Sequence, residues 1–256
     1  MIVGFYNNKG GVGKTTLATN TALEWDGDKD KVLYLDFDGQ KNSSSFFGLN
    51  AEHSFADVVN GNKTVEEVIL KNVADNVDVI GSHTNLNDLE SEFAGDECGS
   101  FEEVCNRLDE AREYILKNYS VCIVDFPPVY NNFTKLLLWR FCDTSVFVAN
   151  PSDERSIAGV ANVFSAEDVD LDFCGLVWNG TIGRKGRRRD IQEELQNAVK
   201  ISLGAKQIFN TQIPLCDCIH NANATRQKAT AYWNGKQTQT FKLFVEELKE
   251  KLNERK

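Results

Sequence analysis

The stretch "IVGFYNNKGGVGKTTL", residues 2–17, constrains the fold more than any other part of the chain. An apolar run of strand character leads into a loop with three glycines, Gly10, Gly11 and Gly13. The loop opens directly into a helical pattern. Glycine lets the backbone turn tightly, so successive N–H groups converge on one point. A helix that starts there adds the positive end of its dipole. A strand, loop and helix joined in this way are suited to cradling phosphate. On this reading Gly10, Gly11, Val12, Gly13 and Thr16 surround a nucleotide's phosphates. Lys14 reaches the β and γ groups, and the Thr15 hydroxyl ligates Mg²⁺. ATP and Mg²⁺ are the implied ligands. The common form GxxxxGK[ST] is not met, because Asn8 stands at the first glycine position.

Lys9 does not fit an ordinary loop of this kind. Lys14 already supplies the phosphate-binding ammonium, and a second one close by is repelled unless ATP brings its own charges. Otherwise Lys9 must point away from its own nucleotide.

The rest of the chain repeats the alternation. The segments 2–7, 31–37, 77–82, 120–126, 144–150, 172–179 and 206–214 read as strands, most of them apolar at nearly every position. That is the pattern of a parallel sheet covered on both faces. Helical patterns fall between them at 15–25, 101–118, 131–141, 155–167, 189–202 and 239–253. The expected fold is α/β, a doubly wound, mostly parallel sheet flanked by helices, in a single domain spanning 1–256. In such a sheet ligands bind beyond the C-terminal strand ends. Two further strands end in carboxylates there. "LYLDFDGQ" carries Asp36 and Asp38, and "CIVDFPP" carries Asp125. An apolar strand ending in Asp suggests a carboxylate that holds Mg²⁺, and Asp36 or Asp38 is placed to orient the attacking water. The plainer alternative for each is a cap or turn residue.

Composition limits the alternatives. The net charge of −10 opposes nucleic-acid binding by the molecule as a whole, so any such contact must come from a local patch. One patch exists, "RKGRRR" at 184–189. No apolar run approaches the ~18 residues of a membrane span. The seven cysteines are odd in number and form no CxxC pair, which suggests reduced thiols in a cytoplasmic protein. Cys216 and Cys218 form a C-x-C that reads more simply as two ordinary thiols than as a metal or redox pair.

Taken together, "KGGVGKTT", "DFDGQ" and "DFPP" resemble the deviant Walker A, A′ and Walker B motifs of the ParA/MinD ATPases, a branch of the P-loop NTPases. The pattern of 54–93 (short helix, second helix, strand, then "L…E") is similar to that of ParA proteins, as are "GLVWNGTIGRKGRRRDIQEEL" and "IFNTQIP". The resemblance covers nearly the whole chain and is closest to Soj-type ParA proteins that lack an N-terminal helix-turn-helix. It implies an ATPase that forms a homodimer with ATP, in which Lys9 reaches across to the partner's phosphates. Lys9, Lys14 and Asp38 would be its catalytic residues. Thr15, Asp36 and Asp125 would serve the metal, and Asn179, Ile213 and Pro214 would contact the base. It also implies slow hydrolysis stimulated by a ParB-like centromere-binding or adaptor protein, in a nucleoid-associated prokaryotic ATPase. One departure is Gly39, where the A′ motif usually has proline.

The basic segment places Arg184, Lys185, Arg187, Arg188 and Arg189 just before a helix, without interleaved aromatics. That composition suits phosphate contacts without sequence reading. Arg226, Lys228 and Lys236 are further candidates for DNA. The alternative within the superfamily is a MinD-like membrane-associated positioning ATPase, which needs an amphipathic C-terminal helix with a basic polar face. In "TFKLFVEELKEKLNERK" the apolar residues share one face, and the opposite face mixes glutamates with lysines. A helix packed on the core is the better reading, and no stable membrane association is expected.

Overall fold

The computed structural model describes residues 1–25, 31–40, 42–82, 99–164 and 173–255. Eight strands form one sheet in the order β3-β4-β2-β5-β1-β6-β7-β8. They are β1 (Ile2–Tyr6), β2 (Val32–Asp36), β3 (Leu70–Ala74), β4 (Val77–Ile80), β5 (Val121–Asp125), β6 (Thr144–Ala149), β7 (Phe173–Thr181) and β8 (Ile208–Pro214). Every pairing is parallel except β3 with β4. β1 lies in the middle. Its neighbour on one side is β5 and on the other β6, so successive connections diverge from it. The crevice at such a divergence is where open α/β sheets hold ligands.

Side chains alternate between two cores, as the pleat requires. Ile2, Leu33, Leu35, Val124 and Phe147 face one side. There α3 (Phe55–Val59), α4 (Val65–Val68), α5 (Phe101–Asn118) and α6 (Asn132–Leu136) contribute Phe55, Val65, Leu108 and Phe133. Val3, Phe5, Tyr34, Ile123 and Val146 face the other. There α1 (Lys14–Glu24), α9 (Asp217–Ala224), α10 (Ala229–Tyr232) and α11 (Lys236–Asn253) contribute Leu17, Ala222, Ala229 and Phe244. α7 (Glu154–Phe164) and α8 (Arg187–Leu203) complete the first layer, through Val160 and Val199. The central strands are therefore apolar at consecutive positions because both their faces are covered.

Strand and helix positions agree with the sequence pattern to within two or three residues, with exceptions that include the short helix Asn42–Phe46. The pattern at 131–141 is not one α-helix: α6 gives way to a π-helical turn at Leu137–Phe141. The segment 206–214 starts with a 3₁₀ turn, Ala205–Gln207, before β8. β3 was not legible, since it is a short, largely exposed edge strand without an apolar run. Neither were α9 and α10, which are short and come after the last strand. The "L…E" part of the ParA-like pattern, within 83–98, lies outside the described residues, as do the last residues of the helical pattern 155–167.

α11 buries Phe241, Phe244, Val245, Leu248 and Leu252 against β8 and α1. Phe244 meets Phe209 at 4.9 Å and Phe5 at 6.3 Å between ring centroids. The apolar face of this helix is thus part of the core. Among the described residues no helix is long and apolar enough to cross a membrane.

Cys216 and Cys218 are not separate thiols, as their spacing had suggested. They are joined in a disulfide at the start of α9. The extended backbone of Cys216 caps the helix, and its sulfur accepts from the Cys218 N–H at 3.3 Å, which brings the two side chains to one side. The other described cysteines, Cys105, Cys122, Cys142 and Cys174, are buried and free.

Candidate nucleotide site

The loop after β1 is fixed from below by a side chain that the sequence pattern had passed over. Asn7 is fully buried. Its amide donates to the Val148 carbonyl at 2.8 Å and the Ser156 carbonyl at 2.9 Å, and its oxygen accepts from the Lys9 N–H at 2.9 Å. One amide therefore ties the loop to β6 and α7. Gly11 and Gly13 have φ of 76° and 93°, in the left-handed region where a side chain is strained. At Gly13 there is also no room, because a Cβ would come within 2.0 Å of the Asn179 amide nitrogen. Gly13 caps α1, so the helix begins at Lys14 with its first N–H groups turned to the cleft.

Lys14 is 6% exposed, and its ammonium donates to the Lys9 carbonyl at 3.2 Å. Burial lowers its pKa, opposed by the charges of Asp125 and Asp38. The Lys9 ammonium, by contrast, makes no ion pair among the described residues, although its backbone is held at both ends.

The carboxylates stand where β2 and β5 end side by side, with Asp36 and Asp125 in register. Asp125 is fully buried. Its Oδ2 accepts from the Ser43 hydroxyl at 3.0 Å, and its Oδ1 is buried with no hydrogen-bond partner. Burial and then the charge of Asp36 push its pKa up to about 7, against the Thr15 hydroxyl, the Lys14 charge and Ser43. An orphaned carboxylate oxygen at a costly buried charge, beside a threonine hydroxyl, fits a hard divalent cation such as Mg²⁺.

Asp36 has a different position. Its Oδ1 accepts from the Asp38 N–H at 3.0 Å, and its Oδ2 accepts from the Ser44 N–H at 3.0 Å and the Ser44 hydroxyl at 2.6 Å. Burial raises its pKa, opposed first by the Ser44 hydroxyl and then by these backbone donors. Both oxygens are thus engaged in holding the loop that carries Asp38 and the short helix α2 (Asn42–Phe46). Ser43 and Ser44 on α2 clasp the two strand-end aspartates, a pair of contacts that no motif announced. Asp38 lines the cleft, and its Oδ1 accepts from the Gln40 N–H at 2.9 Å.

The cleft has a volume of about 590 Å³. Its floor is Gly10, Gly11, Gly13, Lys14, Thr15 and Thr16. One wall is Asn42, Ser45 and Phe46 of α2, and the other is Asn223, Ala224 and Arg226. Three positions expected at the base, Asn179, Ile213 and Pro214, do not line this cleft. The Ile213 side chain is fully buried in the core, because strand alternation turns it inward toward α1 and α11. Pro214 ends β8 and does not line the cleft. Asn179 donates to the Val12 carbonyl at 2.7 Å and so braces the back of the phosphate loop instead of facing the cleft. The far wall comes from the end of α9, which is pinned to the loop by a hydrogen bond from Asn223 to the Thr16 hydroxyl at 2.8 Å.

The basic segment does not line this cleft; it runs from the turn after β7 into the first turn of α8. Arg189 pairs with Glu193 at 2.7 Å and donates to the Gly183 carbonyl at 3.0 Å. Arg184, Lys185, Arg187 and Arg188 are exposed and form no ion pair among the described residues. Lys228 is instead near Glu24, at 3.8 Å.

Comparison with known proteins agrees with this arrangement. A family model described as an AAA domain matches residues 1–168. The chromosome partitioning protein ParA of Caulobacter vibrioides is 31% identical over 225 residues, covering 83% of this chain and 80% of that protein. Among solved structures, an ATP complex of Cyanothece McdA superposes with a TM-score of 0.77 at 18% identity, over 98% of this chain and 96% of that one. The Mg-ADP complex of the septum site-determining protein MinD from Pyrococcus horikoshii gives 0.71 at 20% identity, over 100% and 98%. These two likenesses speak for the fold, and the relative and the family model speak for descent. The chain belongs to the ParA/MinD superfamily of P-loop ATPases.

Proposed function

We propose that this ATPase is a ParA-type partition protein that dimerises on ATP, binds DNA without sequence preference as a dimer, and is released by slow hydrolysis. The observation that carries the reading is Lys9. Its backbone is fixed by Asn7 and Lys14, yet its ammonium has no anionic partner among the described residues. A cation carried on the phosphate loop, outside the cleft lining and without an anion of its own, suits the phosphates of a second copy. In this reading Gly10, Gly11, Val12, Gly13, Lys14, Thr15 and Thr16 hold the nucleotide. Thr15 and Asp125 hold Mg²⁺, whose part is to neutralise charge on the phosphates. Asp38 orients water, and Asp36 fixes Asp38 in place through its own hydrogen bonds. The base is received by the wall of Asn223 and Ala224 rather than by Ile213 and Pro214.

DNA binding is supported by the start of α8. Arg187, Arg188 and Arg189 occupy its first turn, where the dipole disfavours cations. Arg189 is already paired with Glu193, but Arg187 and Arg188 at the positive end of the helix, with Arg184 and Lys185 beside them, are best compensated by external phosphates. The partitioning role follows the likeness to the chromosome partitioning protein of Caulobacter vibrioides, and a ParB-like protein would then stimulate turnover. The MinD-like alternative is disfavoured for α11, whose apolar face is buried.

The test is binding of random-sequence duplex DNA, with ATP and with ADP, across a salt titration. Affinity is predicted with ATP and to fall steeply as salt rises. Lack of DNA binding with ATP at low salt would contradict the partition reading.

A further inference from the structure

We infer that Arg226 is a nucleotide-binding residue, contributing a second cation to the phosphate cleft from the loop after α9. The inference rests on the cleft being the ATP site. Among the described residues only two cationic side chains line it, Lys14 on the floor and Arg226 on the wall. Three observations single out Arg226.

The first is its backbone. α9 ends in a Schellman turn, in which the Gln227 N–H reaches the Ala222 carbonyl at 2.9 Å and the Arg226 N–H reaches that of Asn223 at 3.1 Å. The residue at the left-handed position of such a turn is usually glycine, and here it is Arg226 with φ of 58°. An arginine retained where glycine costs less points to a use for its side chain.

The second is how the turn is placed. Asn223, in the same turn, donates to the Thr16 hydroxyl, which fixes the loop to the first helical turn of the phosphate cradle. The guanidinium then spans toward α2: a Cβ built on Gly48, just beyond that helix, would stand 3.4 Å from the Arg226 Nη1. Arg226 thus bridges the two walls of the cleft, from α9 to the element whose Ser43 and Ser44 hold Asp125 and Asp36.

The third is charge. The carboxylates Asp36, Asp38 and Asp125 gather where β2 and β5 end, with only Asp38 lining the cleft, and Arg226 forms no ion pair among the described residues. A planar fork of donors without a carboxylate, at the edge of a polyphosphate cleft, suits a phosphate oxygen of the nucleotide.

Arg226→Gly and Arg226→Lys separate this role from a structural one and from DNA contact. Without nucleotide or DNA, Arg226→Gly is predicted to raise Tm by about 1–3 °C, since glycine suits the turn. The same variant is predicted to weaken ADP and ATP binding by about tenfold, with KM for ATP rising more than kcat falls. Arg226→Lys, which keeps the charge but not the fork, should recover part of that loss. Lys14→Ala, measured alongside, should abolish binding. If both Arg226 variants bind nucleotide like the wild type while Lys14→Ala does not, the inference is overturned and the ATP site stands. If only DNA binding is lost, Arg226 belongs to the DNA surface and the inference again fails. A wild type that binds no nucleotide would remove the site itself.

Discussion

Asp125 concentrates the chemistry of the site in one side chain. Burial and the neighbouring Asp36 push its pKa up to about 7, so the metal-free site resists the charge that metal binding requires. For an acid whose folded pKa is raised, the stabilising effect is complete below the unfolded value and is lost as pH rises through the folded one. The metal-free protein is therefore predicted to lose about 1 kcal/mol of stability between pH 6 and pH 8, and Asp125→Asn to flatten that slope. Urea titrations at the two pH values, in the presence of a chelator, check it. Mg²⁺ binding to the nucleotide complex has the opposite sign and should weaken as pH falls through 7, because the cation needs the carboxylate ionised. Most of these residues were legible beforehand. Lys14, Thr15, Asp38 and Asp125 lie within short motifs at strand ends, where local sequence dictates position. Asn7, Ser43, Ser44 and Asn223 were not, because each acts through a partner far away in sequence, and a motif does not say which way a strand residue such as Ile213 faces.

At the scale of elements, α2 is the part whose role the sequence least suggested. It is five residues long, yet it holds both strand-end aspartates through adjacent serines. Ser44 also accepts from the Ser82 N–H at 3.0 Å, so its hydroxyl joins α2, β2 and the end of β4. Ser44→Ala removes a donor from the buried Asp36 and an acceptor from Ser82. It is predicted to cost about 1–3 kcal/mol in urea denaturation. It should also lower turnover by loosening Asp38. A smaller effect on stability than on turnover would mean that the hydroxyl tunes the loop more than it supports the fold. α8 offers a separate test. Arg187→Ala with Arg188→Ala should reduce the slope of log affinity for DNA against log salt by about 2 and leave ATP binding unchanged. Regular elements with long apolar runs could be read from periodicity, whereas the exposed edge strand β3 and the short helices depend on tertiary contacts that periodicity does not record.

For the whole molecule, the sheet places all the chemistry at one edge, and the phosphate loop lies at the point where its connections diverge. Lys9 stands out in that layout as a lysine whose backbone is fixed while its own chain gives its ammonium no anion among the described residues. The central claim is that ATP supplies that anion on a second copy, so that the assembled site belongs to two chains. Sedimentation of the wild type, Lys9→Ala and Asp38→Ala, each with ADP and with ATP, tests this most directly. The wild type should be monomeric with ADP and dimeric with ATP. Lys9→Ala should weaken the ATP dimer by about tenfold or more, the worth of a charge-assisted contact to phosphate. Asp38→Ala should hold the dimer without turning it over. Equal assembly of all three proteins in both nucleotides would contradict the account.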